Sequence, residues 1–321
     1  MRPDPFDPDQ PRLWPSRGRG VDAYPAYTAP DLWTDPPERE PEPQRRSWRW
    51  IGRWAVRGAA AAIVLLVIAV LAIGAPLFAS ADPNDTAVLD RLKPPSAAHL
   101  LGTDELGRDM YARIVHGARY SLSIAALTAL GSVVFGTALG LVAGFFRRLD
   151  APIMRVVDAM MSFPDILLAI ALVAILGASL GNVVLALVLV YTPRVARVVR
   201  ASTLVVRELL FIEAVRALGV RTSRILWRHV LPNLMSPILV QVSFIFAYAI
   251  LAEAGLSFLG VGVPPEIPTW GTMVAGSQQY ADRAFWVVLF PGVAIILTAL
   301  SLQLVGDGVR DLLDPKLKKA V

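Results

Sequence analysis

"FIEAVRALGVRTSRILWRHVLPN" (residues 211–233) carries arginines at positions 216, 221, 224 and 228, yet it stands between two long apolar stretches. Phe211, Ala214, Val215 and Leu218 follow the i, i+3, i+4, i+7 pattern of a single apolar helix stripe. Glu213 and Arg216 fall off that stripe. Gly219 comes next, the residue favoured just past a helix end. Thr222 or Ser223 stands where a second short helix would be capped. Arg221, Arg224 and Arg228 share one face of that helix, and Pro232 marks the next boundary. The segment therefore predicts two short helices joined at a glycine. Two roles fit such a segment. It is an interfacial helix whose arginines snorkel, or it is a knob gripped by a cytoplasmic partner.

The flanks decide the class of the molecule. The chain has 321 residues, 55% of them hydrophobic, and a mean hydropathy of +0.53. Apolar runs of about 20 residues cross hydrocarbon as helices. Six such runs are predicted, over 58–79, 120–145, 153–177, 181–205, 232–260 and 284–305, so the fold class is an all-α membrane protein with six transmembrane helices. The third run is interrupted by Asp158, Pro164 and Asp165. Before the first run, residues 45–57 form a basic juxtamembrane segment. Residues 1–44 hold eleven prolines among charged residues. Such a composition cannot bury enough apolar surface to offset its ordering entropy, and it predicts a disordered cytoplasmic tail. "ASA" at 79–81 resembles a signal cleavage site and Arg45-Arg46 a twin-arginine signal. The length of the apolar run and of the preceding tail favours an uncleaved first span.

Charge sets the orientation. The net charge of +5 is read as loop asymmetry, not as a nucleic-acid surface. Arg147, Arg148 and Arg155, then Arg194, Arg197, Arg200, Arg207 and the arginines of the opening segment, then "DPKLKKAV" at the C-terminus, all fall on one predicted side. The turn near 177–181 is uncharged, and the loop at 261–283 has one arginine. Both termini are expected in the cytoplasm.

Several polar residues lie within spans. Asp158 and Asp165, seven apart, are predicted to share a helix face, and intramembrane acids are functional suspects. Asp165, Gln241, Tyr248 and Glu253 are candidates for a translocation path. For Glu253 a hydrogen bond within the bundle fits as well. Gly136, Gly140 and Gly144 recur every fourth residue, a spacing that lets helices approach closely. "LGTDELGRD" (101–109) fits a contact for an outer binding protein or a packing surface for a partner subunit. No catalytic or metal site is expected. Cysteine is absent, and His99, His116 and His229 form no ligand motif. No G-x-x-x-x-G-K-[ST] loop cradles a nucleotide.

"EAVRALGVRTSRILWRHVLPN" (213–233) resembles the EAA motif of ABC-importer permeases. Glu213, Ala214, Gly219, Ile225, Leu231, Pro232 and Asn233 match it, while Val215 replaces the motif's second alanine. "HLLGTDELGRDMYARIVHGARYSL" (99–122), "AEAGLSFLGVGVPPEIPTWGTM" (252–273) and "GDGVRDLLDPKLK" (306–318) are similar to dipeptide and oligopeptide permeases of the C-subunit type. The resemblance covers roughly 55–321. It implies a type I ABC-importer permease fold over 58–321, in the bacterial cytoplasmic (inner) membrane. It implies that the loop 207–231 is a coupling segment, with Phe211, Glu213, Ala214, Val215, Arg216, Leu218, Gly219, Ile225, Pro232 and Asn233 meeting an ATPase. A homologous permease as heterodimer partner, two cytoplasmic ATPase subunits that bind ATP and Mg, and an extracytoplasmic substrate-binding protein are the implied partners. This chain itself would bind no cofactor. Nickel, opine or glutathione are alternative cargoes within the same type. A free-standing secondary transporter would leave the motif unexplained. An intramembrane enzyme would lack its chemical groups.

Overall fold

The computed structural model describes residues 48–79 and 81–313, with side chains placed over 58–79 and 81–310. The expected disordered tail, most of the basic juxtamembrane segment and the "DPKLKKAV" terminus lie outside the described residues. The described chain is built from helices. They are α1 (Trp48–Ile73), α2 (Ala75–Phe78), α3 (Met110–Phe145), α4 (Arg147–Met161), α5 (Asp165–Leu176), α6 (Leu180–Arg207), α7 (Leu210–Ala217), α8 (Thr222–Ile225), α9 (Met235–Phe258), α10 (Trp270–Ser277) and α11 (Trp286–Leu313). Four helices are long and apolar enough to cross a membrane: Met110–Phe145, Leu180–Arg207, Thr222–Phe258 and Trp286–Arg310. A fifth passage is supplied by α4 and α5 if that bent pair counts as one span. The apolar stretch Gly58–Ile73 of α1 stands where the first span was expected. That helix stops at Gly74, with α2 beyond it.

The spans associate through small residues. A Cβ added at Gly136 would lie 2.5 Å from Val195 Cβ, at Gly140 2.6 Å from the Ala196 carbonyl, and at Gly144 2.6 Å from Thr203 Cβ. Gly131 stands equally close to Val188. These pairs ascend together, so α3 and α6 run parallel at backbone-contact distance. The four-residue glycine spacing is thus a packing seam. Around it, α9 packs on α3, α6 and α11, and α1 packs on α11.

Three boundaries differ from the sequence reading. The second span begins ten residues early. Asp109 caps α3 by accepting from Ala112 N at 3.0 Å, and the helix carries Arg113, His116 and Arg119 before its apolar run. Arg113 is buried there. Its guanidinium donates to the Pro83 carbonyl at 3.0 Å and lies 3.6 Å from Asp104. A hydropathy window cannot see that pairing.

The third span is broken. Proline disfavours a helical residue before it, and the chain bends by 91° between α4 and α5 across Ser162, Phe163 and Pro164. At about 1.5 Å per residue, α5 alone covers about 18 Å of the roughly 30 Å of hydrocarbon. Asp158 and Asp165 therefore stand on different helices, not on one face.

The fifth span starts earlier than Pro232. From Thr222 the chain passes through a π turn (Leu226–Val230) and a 3-10 turn (Leu231–Leu234) into α9 without leaving the helix. Leu231 N reaches back to the Leu226 carbonyl, and the Asn233 side chain donates to the His229 carbonyl at 2.6 Å. Proline has no N–H to give and its ring crowds the carbonyl four residues back. The wider turn accommodates it without ending the helix.

At the end opposite the arginine-rich loops, hydrogen bonds tie 81–109 to 259–285 and to the start of α11, and α3 to the residue after α2. Trp286 Nε1 donates to the Thr103 carbonyl at 3.2 Å, Asn84 Nδ2 to the Glu266 carbonyl at 3.0 Å, and His116 Nε2 meets the Ala79 carbonyl at 3.1 Å. Asp104 Oδ1 accepts from Leu106 N and Arg108 N, both at 2.9 Å. Burial, and after it the neighbouring Asp104 charge, pushes the Glu105 carboxyl above its ordinary range. "LGTDELGRD" is thus largely consumed by packing inside this chain.

Candidate functional site

The opening segment forms a knob at the arginine-rich end. Leu209 precedes α7 in extended conformation, and the helix ends two turns later. Its terminus is a Schellman motif. Gly219 N donates to the Arg216 carbonyl at 2.9 Å and Val220 N to the Val215 carbonyl at 3.3 Å, with Gly219 at φ +74°. Val215 and Val220 pack against the core beneath, the hydrophobic contact that accompanies this motif. The chain then enters α8 at Arg221, which makes no side-chain cap. Neither Thr222 nor Ser223 caps it, because both already lie inside the helix.

The knob has two faces. Ile212 is 0% exposed and Ile225 1%, and they join the core cluster with Val230 and Leu234. Arg216 lays its guanidinium 4.6 Å from the Phe145 ring centroid, and Arg207 Nη1 donates to the Gly144 carbonyl at 2.6 Å. Both contacts tie the knob to the end of α3. The opposite face is open: Phe211 is 41% exposed and Leu218 81%, with Glu213 and Ala214 exposed between them. Of the predicted stripe, Phe211, Ala214 and Leu218 point out and Val215 points in. Ile212 was missed by the sequence reading. Its signal was a second stripe, Ile212 and Val215, three apart on the other side of the helix. Pro232 and Asn233 are exposed at the π and 3-10 turns that join the knob to α9.

The second constellation lies deeper. Three carboxylates on α4 and α5 meet three arginines spaced by three on α6. Asp150 pairs with Arg200, Asp158 with Arg197 at 2.6 Å, and Asp165 with Arg194 at 2.9 Å. Sequence reading treated these arginines as loop charge beside the membrane. They are instead the partners of the broken span's acids. Arg194 also stands over two rings, 5.0 Å from the Tyr248 centroid and 5.8 Å from that of Tyr191. Asp165, Tyr191 and Tyr248 line a cavity of about 220 Å³ with Leu251 and Leu256. Gln241, two helical turns from Tyr248, is partly buried and its Oε1 has no hydrogen-bond partner among the described residues.

Glu253 is not part of this cavity. It is five residues from Tyr248 and so on another side of α9. It is 1% exposed and accepts from Thr269 Oγ1 at 2.7 Å and Ser257 Oγ at 2.9 Å. Thr269 also caps α10 with a reciprocal capping box. Of the two roles read for Glu253, these hydrogen bonds fit the one within the bundle. Among the described residues no group of His, Asp or Glu side chains could hold a metal ion.

Comparison with known proteins fits this geometry. The dipeptide transport system permease protein DppC of Alkalihalophilus pseudofirmus is 42% identical over 299 residues, 91% of this chain and 98% of that protein. The di/tripeptide transport system permease protein DppC of Pseudomonas aeruginosa is 43% identical over 295 residues, 89% of this chain and 97% of that one. The glutathione transport system permease protein GsiD of Pectobacterium atrosepticum is 44% identical over 278 residues, 86% and 92% of the two chains. The fold is similar to that of a chain in the inward-facing MetNI methionine ABC transporter, with a TM-score of 0.53 and 19% identity over 64% of this chain and 98% of that one. Residues 136–319, which include the packing seam, the broken span and the knob, match the family described as binding-protein-dependent transport system inner membrane components. The chain belongs to that family.

Proposed function

We propose that this chain is one of two homologous permease subunits of an ATP-driven importer of small peptides, and that the knob at 207–231 is where ATPase subunits grip it. The observation that carries this reading is the two-faced α7. Its inner face is anchored by Ile212, Val215 and Arg216, while Phe211, Ala214 and Leu218 present an unpartnered apolar strip beside exposed Glu213. An amphipathic helix of this kind fills a hydrophobic groove. The continuous helix from Thr222 to Phe258 then carries any motion of the knob into the membrane. The importer takes its substrate from an extracytoplasmic binding protein. ATP and Mg belong to two cytoplasmic ATPase subunits, and this chain binds no cofactor. It is read as multi-pass in the bacterial cytoplasmic membrane with both termini in the cytoplasm.

Dipeptides or oligopeptides are the proposed cargo, supported by the names of the relatives. Glutathione, itself a small peptide, is the second reading, favoured by the 44% identity to the Pectobacterium glutathione permease. The test is reconstitution of the chain with its partner subunits in liposomes. The account expects ATP-dependent uptake of labelled dipeptide, reduced by excess unlabelled dipeptide more than by excess glutathione. Uptake without ATP contradicts the importer reading, and stronger competition by glutathione reverses the choice of cargo.

A further inference from the structure

The Asp165–Arg194 pair sits where a charge pair needs a reason. Arg194 is about 21 Å along α6 from its start and Asp165 about 17 Å from the end of α5, past the midpoint of a roughly 30 Å hydrocarbon layer on the side of the arginine-rich loops but still within it. The pair is not sealed: its side chains remain 45% and 35% exposed, Asp165 lining the cavity between α5, α6 and α9 and Arg194 reaching it over the Tyr191 and Tyr248 rings. Ion pairs at such depth mark substrate pathways when they face an opening. The Asp158–Arg197 and Asp150–Arg200 pairs lie successively nearer the arginine-rich end, and neither arginine has a ring beneath it among the described residues. Only Arg194 is seated on two tyrosines, a cation-π arrangement.

The chemistry of the pair selects its ligand. A cation alone could take Asp165 only by leaving Arg194 without its partner, and an anion alone would do the reverse. Leaving one charge of a pair uncompensated within the depth of the hydrocarbon is costly. A zwitterion exchanges like for like. An ammonium group replaces the guanidinium at Asp165, a carboxylate replaces Asp165 at Arg194, and no charge is left over. The cavity, at about 220 Å³, is smaller than the roughly 300–1,000 Å³ of sites that enclose a drug-sized molecule. It therefore holds a dipeptide-sized ligand or part of a longer one, with an apolar side chain against Tyr248, Leu251 and Leu256. We infer that Asp165, Arg194, Tyr191 and Tyr248 form an intramembrane binding site for a small zwitterionic peptide in transit. This rests on the reading of the chain as a peptide permease.

The experiment uses the complete complex in liposomes, with labelled L-alanyl-L-alanine as the probe. The chain has no native cysteine. Leu251→Cys therefore places a single thiol of this subunit on the cavity wall, and its alkylation by N-ethylmaleimide is followed during ATP turnover. The site predicts that saturating dipeptide with its binding protein slows alkylation several-fold. It also predicts that Arg194→Gln lowers dipeptide uptake by about tenfold or more, the loss of one charge-assisted hydrogen bond. Arg197→Gln, one turn away on the same helix and also paired to the broken span, should stay near the wild-type rate in complexes that assemble equally. Unprotected alkylation in a complex that imports dipeptide contradicts the site and leaves the importer standing. Equal losses in the two arginine variants make the pair a structural tie only. A complex that imports no dipeptide contradicts the peptide reading and the site with it.

Discussion

At Gly140 a Cβ would meet the Ala196 carbonyl at 2.6 Å and Val199 Cβ at 2.7 Å. A backbone oxygen cannot step aside, so Gly140→Leu forces α3 and α6 apart. The cost expected for such overpacking is about 1–3 kcal/mol. It is read as a lower unfolding midpoint of the purified protein in detergent. Gly292→Ala, at a position with nothing within 4 Å, should leave that midpoint unchanged or raise it. Glu253 is a second test at this scale. Glu253→Gln retains an acceptor for Thr269 and Ser257. Glu253→Leu removes the partner of the Ser257 hydroxyl and leaves Thr269 Oγ1 only its capping contacts to Thr272, at about 1–3 kcal/mol. The account expects near-normal stability and uptake for the first and a clear loss of stability for the second. Severe loss of uptake in a stable Glu253→Gln protein would return that residue to the path. The glycine seam was legible from spacing alone. The role of Glu253 was not, because its partner Thr269 is 16 residues away and joins it only after the chain turns back at Gly260.

Among the elements, the knob and the broken span show what periodicity can and cannot reveal. The apolar stripe, the glycine stop and the arginine face were readable, because a short helix writes its two faces at fixed spacing. The inner anchor Ile212 was not, because with Val215 it makes a stripe of only two residues, too short to set a period. The break at Ser162–Pro164 was visible as an interruption. Its consequence was not, since the acids on either side acquire meaning only from α6. Arg194, Arg197 and Arg200 read as loop charge until the fold set Asp165, Asp158 and Asp150 opposite them. If those pairs hold α4 against α6, Asp150→Ala frees the first turns of α4. Partly exposed pairs contribute up to about 1 kcal/mol, roughly a fivefold change in a local opening equilibrium. The measurable outcome is trypsin cleavage at Arg147, Arg148 or Arg155, about fivefold faster in the variant at limiting protease. An unchanged rate would show that the apolar contacts of α4 suffice without the pair.

For the whole molecule, the loops at 81–109 and 259–285 bind one another at one end, and α4, α7 and α8 gather arginines at the other. This division agrees with the charge asymmetry read from sequence. The preference of arginine for the cytoplasmic side predicts that the arginine-rich end faces inward. Ser96→Cys and Glu266→Cys, both at exposed positions, should react with an impermeant thiol reagent added to intact cells, and Thr222→Cys only after the membrane is opened. The reverse pattern would invert the topology. Deletion of residues 2–44 should leave insertion and uptake intact, because their composition gives them nothing to pack with. Failure of that truncation to assemble would assign the tail a structural role.

The central claim is that the knob transmits ATPase motion to the fifth span. Gly219 at φ +74° is open to solvent on its Cα side, so a side chain there meets no atom but must adopt a backbone conformation that costs about 1–2 kcal/mol outside glycine. Gly219→Val therefore distorts the turn without disturbing the core. Glu213→Arg reverses the exposed charge beside Phe211 and Ala214 while leaving Ile212 seated. The most direct measurement is peptide-stimulated ATP hydrolysis by the reconstituted complex, with subunit stoichiometry and the binding protein's own affinity for peptide measured alongside. The account predicts that both variants assemble, that peptide affinity is unchanged, and that the stimulation by peptide falls to near zero. Wild-type stimulation in both assembled variants would contradict it, and the exposed face of α7 would then be no more than an interfacial helix.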